Sequence, residues 1–159
     1  MGAARALVVD LPDETATAGL AARLAGLVRR GDVIGLEGPL GSGKTSFARA
    51  FIRAYGGGAP EVPSPTFTLV EIYSFPGRPA VWHFDLYRLG APEEAWELGI
   101  EEAWSEGISL IEWPERLGPL LPREHLRIVL AEGAAPSART ARLRPSPDWV
   151  PRLAGVVDG

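Results

Sequence analysis

The stretch Asp32-Val-Ile-Gly-Leu-Glu-Gly-Pro-Leu-Gly-Ser-Gly-Lys-Thr-Ser-Phe-Ala-Arg-Ala-Phe-Ile-Arg-Ala-Tyr55 decides the fold. Its first six residues are a short apolar run ending in an acid, which predicts a strand over 32–37. From Lys44 onward, Phe47, Ala48, Phe51, Ile52 and Tyr55 recur at helical spacing and predict a helix with one apolar face. Between the two lies Gly38-Pro-Leu-Gly-Ser-Gly-Lys-Thr45, a match to G-x-x-x-x-G-K-[ST]. A strand before this loop and a helix after it are the context that turns a pattern into a structural claim.

Such a loop is chemistry as well as topology. Successive backbone N–H groups in a Gly-rich turn make an anion-binding concavity. The helix that follows adds free N–H groups and the positive end of its dipole. Gly41 and Gly43 let the backbone pass close to phosphate oxygens, and Leu40 and Ser42 complete the cradle. Lys44 is expected to reach the β- and γ-phosphates, and Thr45 to place its hydroxyl on Mg²⁺. ATP with Mg²⁺ is the expected ligand. Of the 16 basic residues, Lys44 is the one lysine. A chain that otherwise uses only Arg keeps an ammonium at the place where a compact point charge meets phosphate.

Outward from the loop, Ala4–Asp10 reads as a strand. Pro12-Asp-Glu-Thr15 reads as a helix start, with Asp13 as cap. Leu20, Leu24, Leu27 and Val28 continue at helical spacing until Arg29-Arg-Gly31. Beyond the phosphate-loop helix, Phe67–Phe75 and Ala80–Tyr87 read as an antiparallel hairpin around a Pro76–Pro79 turn. Pro92 fits a first helical position. Ile108–Glu112, Glu124–Leu130 and Arg139–Arg144 read as further strands, and 145–159 as room for a final short helix. Strands alternating with helices, interrupted by a hairpin, predict an α/β three-layer sandwich of P-loop NTPase type with a mixed central sheet. At 159 residues one domain spanning 1–159 is expected.

Composition excludes several classes. There is no cysteine, so no disulfide framework, thiolate metal site or cysteine nucleophile. With two histidines, a His-based zinc site is not expected. A formal net charge of −4 argues against a chain that grips RNA by itself. No run approaches the ~18 apolar residues of a membrane span, and the N-terminus lacks a signal-peptide core, so a cytoplasmic protein is expected.

A Mg²⁺–triphosphate site also needs a carboxylate near the metal. Asp85 and Glu112 each end an apolar strand, where a core position would not hold a charge. One would ligate Mg²⁺ and the other orient the attacking water; the residues alone leave the assignment open. His83 alternates with Asp85 and should share its sheet face, as a hydrogen-bonded structural residue. Trp113 either packs in the core or covers the site. Ser64-Pro-Thr-Phe-Thr68 sits where a switch loop would, with Thr66 as candidate γ-phosphate sensor.

Taken together, these residues resemble the TsaE (YjeE) family of small bacterial ATPases. The likeness runs from about Pro12 to Leu121. It carries Ser64-Pro-Thr-Phe-Thr-Leu-Val-Glu71, His83-Phe-Asp-Leu-Tyr-Arg-Leu89, Glu97-Leu-Gly-Ile100 and Ile111-Glu-Trp113 besides the phosphate loop. One departure is Pro39, where family loops commonly carry Asp. The resemblance implies an ATPase, slow alone, that supports threonylcarbamoyl modification of tRNA adenosine together with the partner proteins TsaB and TsaD. Any tRNA contact would then be indirect, through the complex. It further implies Thr45 and Glu112 as Mg²⁺ ligands, and Asp85, Lys44 and Thr66 as catalytic residues. Trp113 would lie beside the nucleotide, with Glu14 and Thr15 near its base. Two alternatives stand beside it: a small-molecule kinase using the same loop, for which Arg88 and Arg116 are the available arginines, and a nucleotide switch that does not hydrolyse.

Overall fold

The computed structural model describes residues 6–57 and 69–158. Seven strands form one sheet in the order β1-β7-β6-β2-β5-β4-β3. They are β1 (Leu7–Leu11), β2 (Val33–Glu37), β3 (Val70–Phe75), β4 (Arg78–Asp85), β5 (Ile108–Glu112), β6 (Leu126–Glu132) and β7 (Arg139–Pro145). The centre is parallel: β2 pairs with both β5 and β6, and β4 pairs with β5. Antiparallel pairs flank it, with β3 on β4 at one edge and β6-β7-β1 at the other. The mixed α/β sheet expected from the sequence is therefore present. Four helices join it: α1 (Glu14–Ala25), α2 (Lys44–Tyr55), α3 (Ile100–Glu106) and α4 (Val150–Asp158).

Strand alternation sends side chains to two cores. Ile34, Leu36, Val81, Leu110, Ile128 and Leu143 meet α1, α2 and α4 through Leu20, Leu24, Phe47, Phe51 and Leu153. Val33, Trp82, Phe84 and Ile111 point the other way and meet Ala95, Ile100, Ala103 and Leu117. The second layer lies over the β2-β5-β4-β3 side of the sheet.

Asp13 caps α1 as expected, accepting from Ala16 N–H at 2.8 Å. The helix nevertheless stops at Gly26, five residues before Gly31. Leu27 and Val28 keep packing on the core after the helical hydrogen bonds have ended, so the apolar spacing outruns the helix. Arg29 N–H instead bonds Asp32 Oδ2, which turns the chain into β2. The first strand is Leu7–Leu11, one residue later at its end than the sequence suggested. Pro92–Leu98 is a 3-10 turn with Pro at its start, and Gly99, at φ 82°, separates it from α3. Among the described residues, no helix is long and apolar enough to cross a membrane.

An ion pair fastens α4 beneath the sheet. The Arg152 guanidinium donates to both Asp32 oxygens at 2.6 and 3.1 Å and to Leu27 O at 3.1 Å. It also lies 3.8 Å from the Trp149 ring centroid. With 8% and 11% of their side-chain surfaces exposed, the two partners are nearly water-free. Arg152→Ala should therefore cost about 3 kcal/mol in urea unfolding, because Asp32 is left charged and buried. Replacing both, as Asp32→Asn with Arg152→Met, should cost less than the single change.

Candidate active site

Three carboxylates end three adjacent parallel strands: Glu37 on β2, Glu112 on β5 and Asp85 on β4. Ligands of open α/β sheets collect at this carboxyl edge. The loop between β2 and α2 rises from it. Gly38 adopts φ 142°, and a Cβ there would lie 2.4 Å from Leu130 O and 2.6 Å from Ser42 Oγ, so the position admits no side chain. Gly43, at φ 99°, opens α2 and leaves the first-turn N–H groups facing the cleft.

Lys44 is buried, 5% exposed, at the start of α2. Its ammonium donates to Gly38 O at 2.6 Å, Pro39 O at 2.9 Å and Ser42 Oγ at 3.4 Å. The Trp113 ring closes its other side, with the centroid 4.2 Å from Nζ. Burial pushes the Lys44 pKa down, and the charges of Glu112, Glu115 and Asp85 oppose that shift. Trp113 itself holds φ 61°, the one non-glycine residue with positive φ among the described residues. Its ring meets that of Tyr87 at a tilt of 47°, with centroids 5.0 Å apart. So Trp113 is both packed on the second core and part of the cleft wall.

Thr45 and Glu112 come together. The Thr45 hydroxyl lies 2.9 and 3.0 Å from the two Glu112 oxygens. Glu112 is 2% exposed, and His83 Nε2 meets Oε2 at 2.7 Å. Asp85 stands beside it in register on β4 and accepts from Tyr87 N–H at 3.2 Å. Desolvation raises the Asp85 pKa; the Tyr87 N–H opposes this, and the Glu112 charge adds to it.

Lys44, Thr45, Asp85, Tyr87, Glu112 and Trp113 line a cleft of about 290 Å³ together with half-buried Gly43 and exposed Leu40, Gly41 and Ser46. A second cleft, about 380 Å³, opens on the other side of the loop, where exposed Glu14 and Thr15 face Ser46, Arg49 and Arg53. The structure thus brings Leu40, Gly41, Gly43, Lys44, Thr45, Asp85, Glu112 and Trp113 to one cleft and Glu14 and Thr15 to its neighbour. Ser42 is buried beneath the loop. Thr66, with all of Ser64–Thr68, lies outside the described residues.

Thr45 and Glu112 offer oxygen donors only, the ligand type that suits Mg²⁺. Among the described residues, no group of three or more His, Cys, Asp or Glu side chains could hold a metal. A cation at Thr45 and Glu112 would need further oxygens, such as those of a phosphate chain, and the residues fit that arrangement.

Arg139 was not foreseen. It begins β7, 97 residues after Ser42, and donates from Nε to Ser42 O at 2.9 Å and from Nη2 to Gly41 O at 3.3 Å. Nη1 ties the same side chain to Pro136 O and Ala138 O. Arg139 therefore clamps the loop carbonyls and lines both clefts. No local sequence signal announces such a contact.

A family model described as "Threonylcarbamoyl adenosine biosynthesis protein TsaE" matches residues 11–141. Proteins described as "tRNA threonylcarbamoyladenosine biosynthesis protein TsaE" are similar over much of their length. The one from Rickettsia bellii is 40% identical over 120 residues, 76% of this chain and 83% of its own. That from Rickettsia felis is 42% identical over 111 residues, 70% of this chain and 64% of its own. That from Bacillus subtilis is 39% identical over 120 residues, 75% of this chain and 72% of its own. Among solved structures, "Crystal structure of Bacillus subtilus YdiB" superposes with a TM-score of 0.79 at 24% identity, covering 99% of this chain and 98% of that one. That likeness shows the fold.

The Gly38 contacts yield a direct test. Gly38→Ala should lower stability by about 3 kcal/mol or more, the sum of backbone strain and a clash with backbone oxygen. Urea unfolding measures the loss.

Proposed function

Because the chain belongs to the TsaE family, we propose that it is a Mg²⁺-dependent ATPase subunit of the machinery that makes threonylcarbamoyladenosine in tRNA. In this reading it acts with TsaB and TsaD proteins, and tRNA is held by the complex rather than by this acidic chain. The observation that carries the reading is the meeting of the Thr45 hydroxyl with the Glu112 carboxylate at the foot of the loop. A hydroxyl and an acid so placed, under a Gly-rich loop with a buried lysine, suit a metal–triphosphate and little else.

The division of labour follows from position. Loop N–H groups and the α2 N-terminus bind phosphate oxygens. Lys44 exchanges its loop carbonyls for the β- and γ-phosphates. Thr45 and Glu112 hold Mg²⁺, which when bound offsets the negative charge of the phosphates. Asp85, at the cleft wall beside Glu112, orients the attacking water. Its raised pKa makes it a better proton acceptor than an ordinary Asp. Trp113 and Tyr87 wall off the phosphate end, while Glu14 and Thr15 face the nucleoside end. Thr66 is the proposed sensor of the γ-phosphate. The cytoplasm is where such a factor would work.

Lys44→Ala should weaken ATP binding about 100-fold, as expected for losing charged hydrogen bonds. Normal affinity in that variant would end the phosphate-loop assignment. Asp85→Asn should keep ATP affinity and lower phosphate release about 100-fold or more. Release should rise strongly when TsaB and TsaD are added; indifference to them would argue for a different reaction.

Asp85→Asn should also have an opposite effect on stability. A carboxyl whose folded pKa lies above its unfolded value favours folding fully below the unfolded value. That contribution fades as pH rises through the folded one. The Asn variant lacks this titration, so its Tm advantage over the parent should grow as pH rises through the carboxylate range to 7. Equal pH dependence of the two melting curves would contradict the assignment.

A further inference from the structure

His83 is fully buried on β4, yet its ring carries two polar nitrogens. It shares a sheet face with Asp85, two residues on, and with Glu112 on the neighbouring strand. Nε2 lies 2.7 Å from Glu112 Oε2. Nδ1 is buried with no hydrogen-bond partner among the described residues. These two facts select a tautomer. A buried N–H without an acceptor is costlier and rarer than a bare lone pair, so the ring proton belongs on Nε2, aimed at the carboxylate.

The Glu112 carboxylate is then gripped from two elements. The Thr45 hydroxyl from α2 reaches both oxygens, and the imidazole from β4 holds one of them. The terminal torsion of a Glu side chain is broad, so one grip does not fix the plane of the oxygens, whereas two do. His83 does not line either cleft.

We propose that His83 is a positioning residue whose Nε2–H orients Glu112 toward Thr45 and toward the cation of the bound nucleotide. The inference rests on the Mg²⁺–ATP reading given above. Partners that orient a ligand in this way typically change metal affinity by about 10- to 100-fold when removed.

The test uses the full chain and two variants. His83→Leu removes the donor. His83→Gln restores an amide N–H at about the reach of Nε2. Mn²⁺ binding to the protein–ADP complex is read by electron paramagnetic resonance, and ADP binding is measured separately in EDTA. The Leu variant should bind Mn²⁺ about 10-fold more weakly or worse, with unchanged ADP affinity in EDTA. The Gln variant should recover most of the loss. Leu and Gln variants equally impaired, or a Leu variant with parental Mn²⁺ affinity, would overturn the proposal. If the Leu variant fails to fold by circular dichroism, two measurements still decide: the Gln variant, and long-range ¹H–¹⁵N spectra of the parent. A His83 ring protonated on Nδ1 alone would refute the proposed bond. A parent that binds no Mn²⁺ beside ADP would instead remove the metal–nucleotide reading, and the positioning role with it.

Discussion

Glu112 ends β5 with 2% of its surface exposed, and a carboxylate so deeply buried has to be met by donors and by opposite charge. Thr45 supplies one donor from α2, His83 another from β4, and Lys44 the nearby positive charge. Two elements besides β5, α2 and β4, thus converge on the carboxylate, which ties their positions to the end of β5. β5 lies between β2 and β4 in the sheet. Its last residue is therefore the place where the loop that follows β2 and the strand of the hairpin can both be reached. The parallel centre of the sheet is what points all three strand ends the same way.

The loop, in turn, is held from outside its own sequence. Gly38 passes so close to the Leu130 carbonyl that β6 forms its back wall, and Arg139 from β7 fixes the carbonyls of Gly41 and Ser42. A carbonyl pinned in this way leaves the N–H groups of the following peptides facing the cleft. The loop is thus braced by the antiparallel edge of the sheet, whose residues lie outside the loop's own sequence motif.

What could be read in the sequence was what is local. The strand, loop and helix over 32–55 were legible because their cues are local: an apolar run, a Gly-rich turn and helical spacing of apolar residues. The 3-10 turns escaped, because periods of 3.0 and 3.6 differ little over one or two turns. The first helix was drawn too long because Leu27 and Val28 kept the apolar rhythm after Gly26 had ended the hydrogen bonding. Arg139 escaped for the opposite reason: its partners are 97 and 98 residues away, and a lone Arg at a strand start carries no rhythm at all. Asp85 and Glu112 were found as strand-end acids. The residues alone left their roles open and the family resemblance paired Glu112 with Thr45; the geometry shows those two bonded, while Asp85 keeps a desolvated carboxyl at the cleft.

Lys44 is the chain's one lysine and is 5% exposed, with its ammonium turned into the loop. Bioconjugation inherits that arrangement. Amine-directed reagents, from biotin esters to lysine crosslinkers, have a single side chain to attack, and it is the proposed phosphate contact. Coupling through amines would tether the protein by its terminus or acylate its site. Carboxyl-directed or genetically placed tags avoid that choice.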